Sequence, residues 1–357
     1  MSGSERAPAL ARILFGVYVL LVAYASLHPL EGWREHGLAP FDYLRAPVPR
    51  YVTAFDLAVN VLGYVPYGFL GMAALLPGLR RRVALPLVLA SGAALSLVLE
   101  AAQSYLPTRV ATSLDVAANV AGVAAGALLA AAYLPRLHAS GPLRRLRAVF
   151  LPGTVIDAGL TLLALWLFTQ LNPAALLFGA GDLRDLLAAP PGEARTPQFF
   201  VAIEAIVSAA NLAAVAMLLS ALVRPGGPVR LLLVGLVGAA LAVKVAAFAI
   251  IMRAQDVFAW LTPGAQHGLA VGLLVALAAV SLPRLARLAA AAVLLMAATV
   301  LVNLAPPNPY LAATLKLWQQ GHFLNFNGVT RWVSALWTFA ALAYLVYLAA
   351  GRREAPR

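Results

Sequence analysis

The sequence predicts an all-α protein that crosses a membrane about ten times, with both termini on the cytoplasmic side. Apolar residues make up 62% of the 357 positions, charged residues only 11%, and the mean hydropathy is +0.85. A soluble domain has roughly a quarter of its residues charged, so this chain cannot cover itself with a water-compatible surface. Apolar runs of about 20 residues, each long enough to span a bilayer core of about 30 Å, recur along the chain. Together these observations predict a polytopic helical bundle.

Ten membrane spans are predicted, and the distribution of charge orients them. They cover residues 9–28, 54–77, 83–104, 113–134, 149–171, 198–222, 231–252, 266–282, 287–304 and 330–350. With the N-terminus inside, most of the 26 basic residues fall in cytoplasmic segments, as the positive-inside rule requires. The first span also fits a cleaved signal peptide that ends at Ala25, and the sequence leaves this alternative open.

A basic loop that contains glycine and proline divides the chain. The loop "RLHASGPLRRLR" (136–147) predicts a four-helix domain over residues 1–135 and a six-span domain over residues 149–357. The net charge of +12 fits arginine-rich cytoplasmic loops better than nucleic-acid binding. Because there is no cysteine and the five histidines lack ligand spacing, we predict no metal and no cofactor.

A short motif occurs twice among the apolar stretches of the first four spans. The octet "DLAVNVLG" (56–63) returns as "DVAANVAG" (115–122). Each copy places an aspartate, an asparagine and a glycine on a single helix face, because the spacing is i, i+4 and i+7. The polar members are Asp56, Asn60, Asp115 and Asn119.

The predicted topology gathers polar side chains near the outer face. Spans two and four begin outside, so their aspartates lie at that end, and span three ends there with Glu100 and Gln103. His28 at the end of span one and Arg109 in the next outer loop lie at the same level. A carboxylate in hydrocarbon costs several kcal/mol unless it is paired or hydrated, and we expect Arg109 to be the partner of Glu100.

Two interpretations of this polar layer remain open. Asp and Asn cap helix starts, amides bridge helices and glycines allow close packing, which would make the layer structural. The alternative is a polar pocket that binds a ligand. The candidate binding residues are Asp56, Asn60, Glu100, Gln103, Arg109, Asp115, Asn119 and His28. In the second half, Glu204 and Lys244 are predicted to form a buried structural ion pair.

The order of these residues resembles the VanZ-like family of bacterial membrane proteins over roughly residues 10–135. The segments "DLAVNVLGYVPYGFLG" and "SLVLEAAQSYLPTRVATSLDVAANVAGVAAG" contain the D-x-x-x-N, S-x-x-x-E-x-x-Q and D-x-x-x-N-x-x-G patterns of that family. Matching positions are Asp56, Asn60, Pro66, Gly68, Glu100, Gln103, Arg109, Asp115 and Asn119. The resemblance implies a multi-pass protein of the bacterial cytoplasmic membrane with a cell-envelope role. The family is named for a protein that lowers susceptibility to teicoplanin, and the resemblance implies no particular reaction.

Three functions compete at this stage. The first is a non-catalytic protein that binds an amphipathic ligand, such as a lipid-linked cell-wall precursor, a lipid headgroup or a lipoglycopeptide, through Arg109. The second is a membrane-embedded enzyme that acts on lipid headgroups or cell-wall precursors, with Glu100 or Asp115 as general base. The third is a proton-coupled transporter, which needs polar groups across the whole membrane. The absence of a nucleophile motif and the one-sided polar layer favour the first.

Overall fold

The protein is helical throughout the part of the chain that the structure describes. The structure, a computed structural model, describes residues 7–28, 30–35, 37, 39–47, 53–107, 109–139, 141–184, 195–251, 257–309 and 324–351. These residues form eleven α-helices, one short 3-10 helix and an isolated β-bridge between Phe150 and Val223. The predicted all-α fold class is confirmed.

Ten of the helices coincide with the ten predicted spans. The helices are α1 (Ala7–Leu27), α2 (Ala54–Leu75), α3 (Arg81–Gln103), α4 (Ser113–Ala139), α5 (Pro142–Val149), α6 (Thr154–Thr169), α7 (Pro197–Leu222), α8 (Val229–Ile251), α9 (Pro263–Ala279), α10 (Arg284–Leu304) and α11 (Leu324–Ala350). Eight are long and apolar enough to cross a membrane, while α6 and α9 are apolar but have only 16 and 17 residues. A span needs about 20 residues, so these two fall short of the predicted length.

The chain divides into two compact units. The first comprises residues 1–148 and 152–158, and the second comprises residues 149–151 and 159–357. The first unit therefore contains α1–α4, and the second contains α7–α11.

Helices α2 and α4 pack closely in the first unit because glycines face the backbone of the opposite helix. A Cβ atom on Gly68 would collide with the main chain of Val123, and one on Gly126 would collide with the carbonyl of Val65. In a bilayer, small residues at an interface let two helix backbones approach. Gly68 and Gly126, together with Gly122 of the second motif copy, therefore set the distance between the two helices.

Helix α1 packs against α2 through aromatic side chains. The rings of Phe15 and Tyr67 meet edge to face with their centroids 5.0 Å apart, and the Tyr18 hydroxyl donates to the Gly63 carbonyl at 2.6 Å. Below the polar residues, the core of this unit is apolar, with Met72, Val88, Val123, Ala127, Ala130, Ala131 and Leu134 among its buried members. These apolar side chains fill the interior between the helices on the side of the bundle away from the polar residues.

The second unit is built around α7, whose last eleven residues are all buried. Helix α9 lies against it through Gly264, Gly268 and Gly272, which recur every four residues and face the backbone or side chains of α7. The stretch between α6 and α7 contains a non-helical segment, residues 170–184, that is largely buried. Non-helical backbone inside a membrane protein is tolerated only where protein groups satisfy its polar atoms.

Side chains supply those hydrogen bonds in the buried segment. The Phe178 amide donates to the Gln170 side chain at 3.0 Å, and its carbonyl accepts from the Trp166 indole at 3.3 Å. The Asn303 amide from α10 donates to the Gly181 carbonyl at 2.7 Å. The segment is thus held by neighbouring helices and not by regular secondary structure of its own.

Candidate functional site

The polar residues of the first four helices meet at one end of the first unit, where α1 and α3 end and α2 and α4 begin. The Asn60 amide of α2 donates to Asp115 Oδ1 of α4 at 2.6 Å. The Gln103 amide of α3 donates to the Ser26 carbonyl of α1 at 2.8 Å. The structure therefore brings side chains of spans one to four together, as the topology argument expects.

The first copy of the motif begins with a capping box. Thr53 is the N-cap of α2, and its hydroxyl accepts from the Asp56 amide at 3.1 Å. The Asp56 carboxylate in turn accepts from the Thr53 amide at 3.2 Å and from its hydroxyl at 2.7 Å. This reciprocal pattern satisfies amides that a helix start leaves without partners. Asp56 thus helps to cap the N-terminus of the helix to which it belongs.

The second copy starts in the same way but then departs from the first. The Thr112 hydroxyl accepts from the Asp115 amide at 3.0 Å and donates to Asp115 Oδ2 at 2.8 Å. The other oxygen of Asp115 binds Asn60 of the first copy. The repeat therefore extends three residues upstream as T-x-x-D-x-x-x-N-x-x-G, at 53–63 and 112–122. The capping signature T-x-x-D is present in the sequence at both helix starts.

Glu100 completes the cap of the second copy. Its carboxylate accepts from the Thr112 amide at 3.1 Å, the bond that Asp56 makes to Thr53 in the first copy. Glu100 belongs to the last turn of α3. Its carboxylate reaches the start of α4, where free amides and the helix dipole favour a negative charge. Arg109, the expected partner of Glu100, forms no direct salt bridge with it in the described part of the chain, although the two charges are close enough to interact.

Arg109 holds the end of α1 instead of a carboxylate. Its Nη2 donates to the carbonyls of Ala25 and His28, at 3.2 and 3.4 Å. Its Nε atom is buried and has no hydrogen-bond partner. Burial lowers the pKa of Arg109, and the nearby carboxylates of Glu100 and Asp115 oppose this shift. An arginine still keeps its charge at neutral pH, so the cluster contains a half-buried cation with an unused buried donor.

Asn119 brings an unused acceptor to the same cluster. Its side chain is 5% exposed, and its Nδ2 donates to the Ser96 hydroxyl of α3 at 3.0 Å. Its Oδ1 is buried without a partner. Most buried polar atoms in proteins are hydrogen-bonded, so an unpaired donor on Arg109 and an unpaired acceptor on Asn119 require an explanation.

The loop between α1 and α2 covers part of this end. Tyr43, in the 3-10 helix Asp42–Leu44, is 7% exposed, and its hydroxyl donates to the Leu97 carbonyl of α3 at 3.2 Å. Burial raises the pKa of Tyr43, and the negative charge of Glu100 adds to the shift. The Arg34 amide donates to the Tyr105 carbonyl at 3.0 Å. Sequence reasoning missed Tyr43, because one aromatic residue in an outer loop gives no distinguishing signal.

Two of the predicted binding residues make contacts that fit a structural role. The His28 ring lies beside the Tyr24 hydroxyl, with Nδ1 at 3.2 Å, and it is the His28 carbonyl that meets Arg109. Gln103 ties α3 to α1 through the Ser26 carbonyl. Both residues therefore fix the helix ends that form the cluster.

Two cavities lie among the described residues of the second unit. One cavity, of about 30 Å³, is lined by Glu204 and Lys244, and a more open one of about 420 Å³ is lined by Gln198 and His267. Across the described residues, no group of three or more His, Cys, Asp or Glu side chains is arranged to hold a metal.

Glu204 and Lys244 do not form the direct ion pair that the sequence suggests. The Lys244 ammonium donates to backbone carbonyls of the buried segment before α7, and Glu204 accepts from the Thr262 hydroxyl. Both side chains line the same small cavity. A sequence pattern could not show these separate partners, because the carbonyls belong to an irregular segment.

Comparison with known protein families gives a match to the helices that form the polar cluster. Residues 13–134 match the family model described as VanZ/LLP1, a stretch that runs from α1 into α4 and contains the whole polar cluster. The protein is a multi-pass membrane protein with a VanZ-like segment, and the predicted resemblance is confirmed. The later helices form a multi-span extension beyond the match. No curated protein and no solved structure matches the chain.

Proposed function

We propose that the protein is a cell-envelope protein of the bacterial cytoplasmic membrane that binds the polar head of an amphipathic ligand. The binding site is the polar cluster at the ends of α1–α4, on the extracytoplasmic side of the predicted topology. The ligand class covers lipid-linked cell-wall precursors, lipid headgroups and lipoglycopeptides such as teicoplanin. The observation that carries the proposal is the half-buried Arg109 guanidinium, whose buried Nε donor has no partner and which has no carboxylate in direct contact.

The chemistry of the unused atoms supports an anionic ligand. A guanidinium binds phosphate and carboxylate through several parallel N–H bonds, and burial strengthens each of them. The Arg109 Nε atom supplies such a donor, and Asn119 Oδ1 supplies an acceptor for a hydroxyl or amide N–H. A ligand with an oxyanion beside a hydroxyl or an amide would therefore satisfy both atoms.

The hydrogen bonds of the two acids favour binding over catalysis. Both oxygens of Asp115 are engaged, one by Asn60 and one by Thr112, and Glu100 accepts from the Thr112 amide. A general base has to be within hydrogen-bond reach of the proton that it removes. These acids would have to give up bonds that hold helix ends before they could act on a substrate.

The packing below the cluster favours binding over transport. The asparagines are followed along α2 and α4 by the glycine contacts and then by the apolar core around Met72 and Val123. The hydroxyl of Tyr67 in this region donates to Ser91 at 3.1 Å, and Ser91 donates to the Val88 carbonyl at 2.9 Å. Proton relays need a chain of polar groups across the membrane, and the described residues of the first unit offer none.

Loss of the Arg109 charge is expected to abolish any resistance that the protein confers. Cells that express the wild-type chain should survive more teicoplanin than cells with an empty vector, and Arg109→Gln should return survival to the empty-vector level. Arg34→Gln is the matched control, because Arg34 is an exposed arginine in the loop between α1 and α2. The measurement is the minimum inhibitory concentration at equal membrane abundance. If Arg109→Gln, Glu100→Gln and Asp115→Asn all keep the wild-type phenotype, the cluster is structural and the proposal fails.

A further inference from the structure

The small cavity of the second unit is walled by two opposite charges. Glu204 of α7, Lys244 of α8 and Trp260 before α9 line this space of about 30 Å³. The three side chains are only 6%, 1% and 9% exposed. Because one water molecule needs about 10–15 Å³ of such space, the cavity has room for small polar groups but not for a bulky one.

Each charge is held by its own neutral partners. The Lys244 ammonium donates to the carbonyls of Asn172 and Ala175, at 2.7 and 2.8 Å. The Glu204 Oε2 atom accepts from the Thr262 hydroxyl at 2.7 Å, and that hydroxyl caps the start of α9 by accepting from Ala265. Neither salt bridge in the described ranges joins the two charges, although both side chains line this cavity.

Three hydrogen-bonding positions remain unused at this cavity. Lys244 has three N–H donors and uses two of them, and Glu204 has a second oxygen beside the one that Thr262 occupies. The indole N–H of Trp260 is buried and has no partner. Each buried charge has lost part of its hydration, so further hydrogen bonds from a polar group would stabilise it. A group that fills the gap should donate to Glu204 and accept from Lys244 and Trp260.

We propose that this cavity binds the primary ammonium and the adjoining oxyanion of a zwitterion of the phosphoethanolamine type. The ammonium donates to Glu204, and the oxyanion accepts from Lys244 Nζ and Trp260 Nε1. The small volume selects a primary ammonium over the trimethylated group of choline. All the residues lie in the second unit, so the site is independent of the polar cluster and of the function proposed for it.

Free phosphoethanolamine and phosphatidylethanolamine carry the same chemistry, and a thermal unfolding experiment separates them. The full-length protein is placed in nanodiscs of phosphatidylglycerol, and circular dichroism follows its unfolding midpoint. Either O-phosphoethanolamine in solution or phosphatidylethanolamine in the disc should raise the midpoint in a concentration-dependent way, while phosphatidylcholine should not. If only phosphatidylethanolamine raises the midpoint, the cavity binds the intact lipid. If O-phosphoethanolamine raises it as well, the headgroup alone is sufficient for binding. No effect of either compound, or an equal effect of phosphatidylcholine, overturns the proposal.

Substitutions locate the binding in this cavity. Trp260→Phe removes an N–H that bonds to nothing in the protein, so it should leave the fold intact and weaken binding about tenfold. Trp332→Phe is the matched control, since Trp332 is 42% exposed on α11. Glu204→Gln keeps an oxygen for Thr262 but removes the charge, and it should abolish the response to ethanolamine. Wild-type affinity in Trp260→Phe shows that the ligand binds elsewhere and overturns the assignment.

Discussion

Replacing Gly122 with alanine is expected to prevent α2 and α4 from packing and to leave little folded protein in the membrane. The new Cβ would overlap the carbonyl of Val61 and lie 3.0 Å from the Cβ of Tyr64. A backbone carbonyl within a helix cannot move aside without breaking its own hydrogen bond. Overpacking commonly costs 1–3 kcal/mol and occasionally more, and we expect about 3 kcal/mol or more here because backbone is involved.

The repeat supplies a matched control for this prediction. Gly63 occupies the equivalent position in the first copy, yet a Cβ on Gly63 would meet nothing within 4 Å. Gly63→Ala should therefore unfold at a midpoint close to the wild type, while Gly122→Ala should unfold far below it or fail to accumulate. The measurement is the thermal unfolding midpoint of the purified protein in detergent. Equal midpoints for the two variants would show that α2 and α4 do not approach at Gly122.

Replacing Asp115 with alanine is expected to be the most costly single change among the polar residues of the cluster. Asp115 accepts charge-assisted bonds from both Asn60 and Thr112, so its loss removes the acceptor of the Thr112 hydroxyl and of the bridging Asn60 amide. Hydrogen bonds to charged groups contribute about 1.5–3 kcal/mol each, which suggests a loss of at least about 3 kcal/mol.

Asp56→Ala is the corresponding change in the first copy and should cost much less. The Asp56 carboxylate accepts from its own N-cap, Thr53, and a lost cap costs about 1 kcal/mol. Unfolding by denaturant or heat compares the two variants directly. A loss for Asp56→Ala that equals or exceeds that for Asp115→Ala would contradict the asymmetry that the structure shows between the copies.

The helices and the gathering of the polar residues could be predicted, because both follow from patterns within short stretches. Apolar runs gave every long helix, and the i, i+4, i+7 spacing put each Asp, Asn and Gly on one face. The alternation of span directions then brought Glu100 and Arg109 to the level of the two aspartates. Apolar runs, residue spacing and span direction can all be read from the sequence without knowing which helices are in contact.

The hydrogen-bond partners could not be predicted, because they depend on how closely particular helices approach. Asn60 bonds to the aspartate of the other copy because glycines bring α2 and α4 together. Glu100 bonds to the Thr112 amide because the turn after α3 returns directly to the start of α4. In the second unit, carbonyls of an irregular segment take Lys244 away from Glu204, and such a segment has no periodic signal.

The most direct test of the account is whether the polar cluster binds an anionic amphiphile through Arg109. The purified full-length protein in nanodiscs is titrated with a polyprenyl phosphate and, separately, with teicoplanin. We predict saturable binding of at least one of them by the wild type, about tenfold weaker binding by Arg109→Gln, and unchanged binding by Arg34→Gln. Failure of the wild type to bind either compound, or equal affinities in the wild type and Arg109→Gln, would contradict the account.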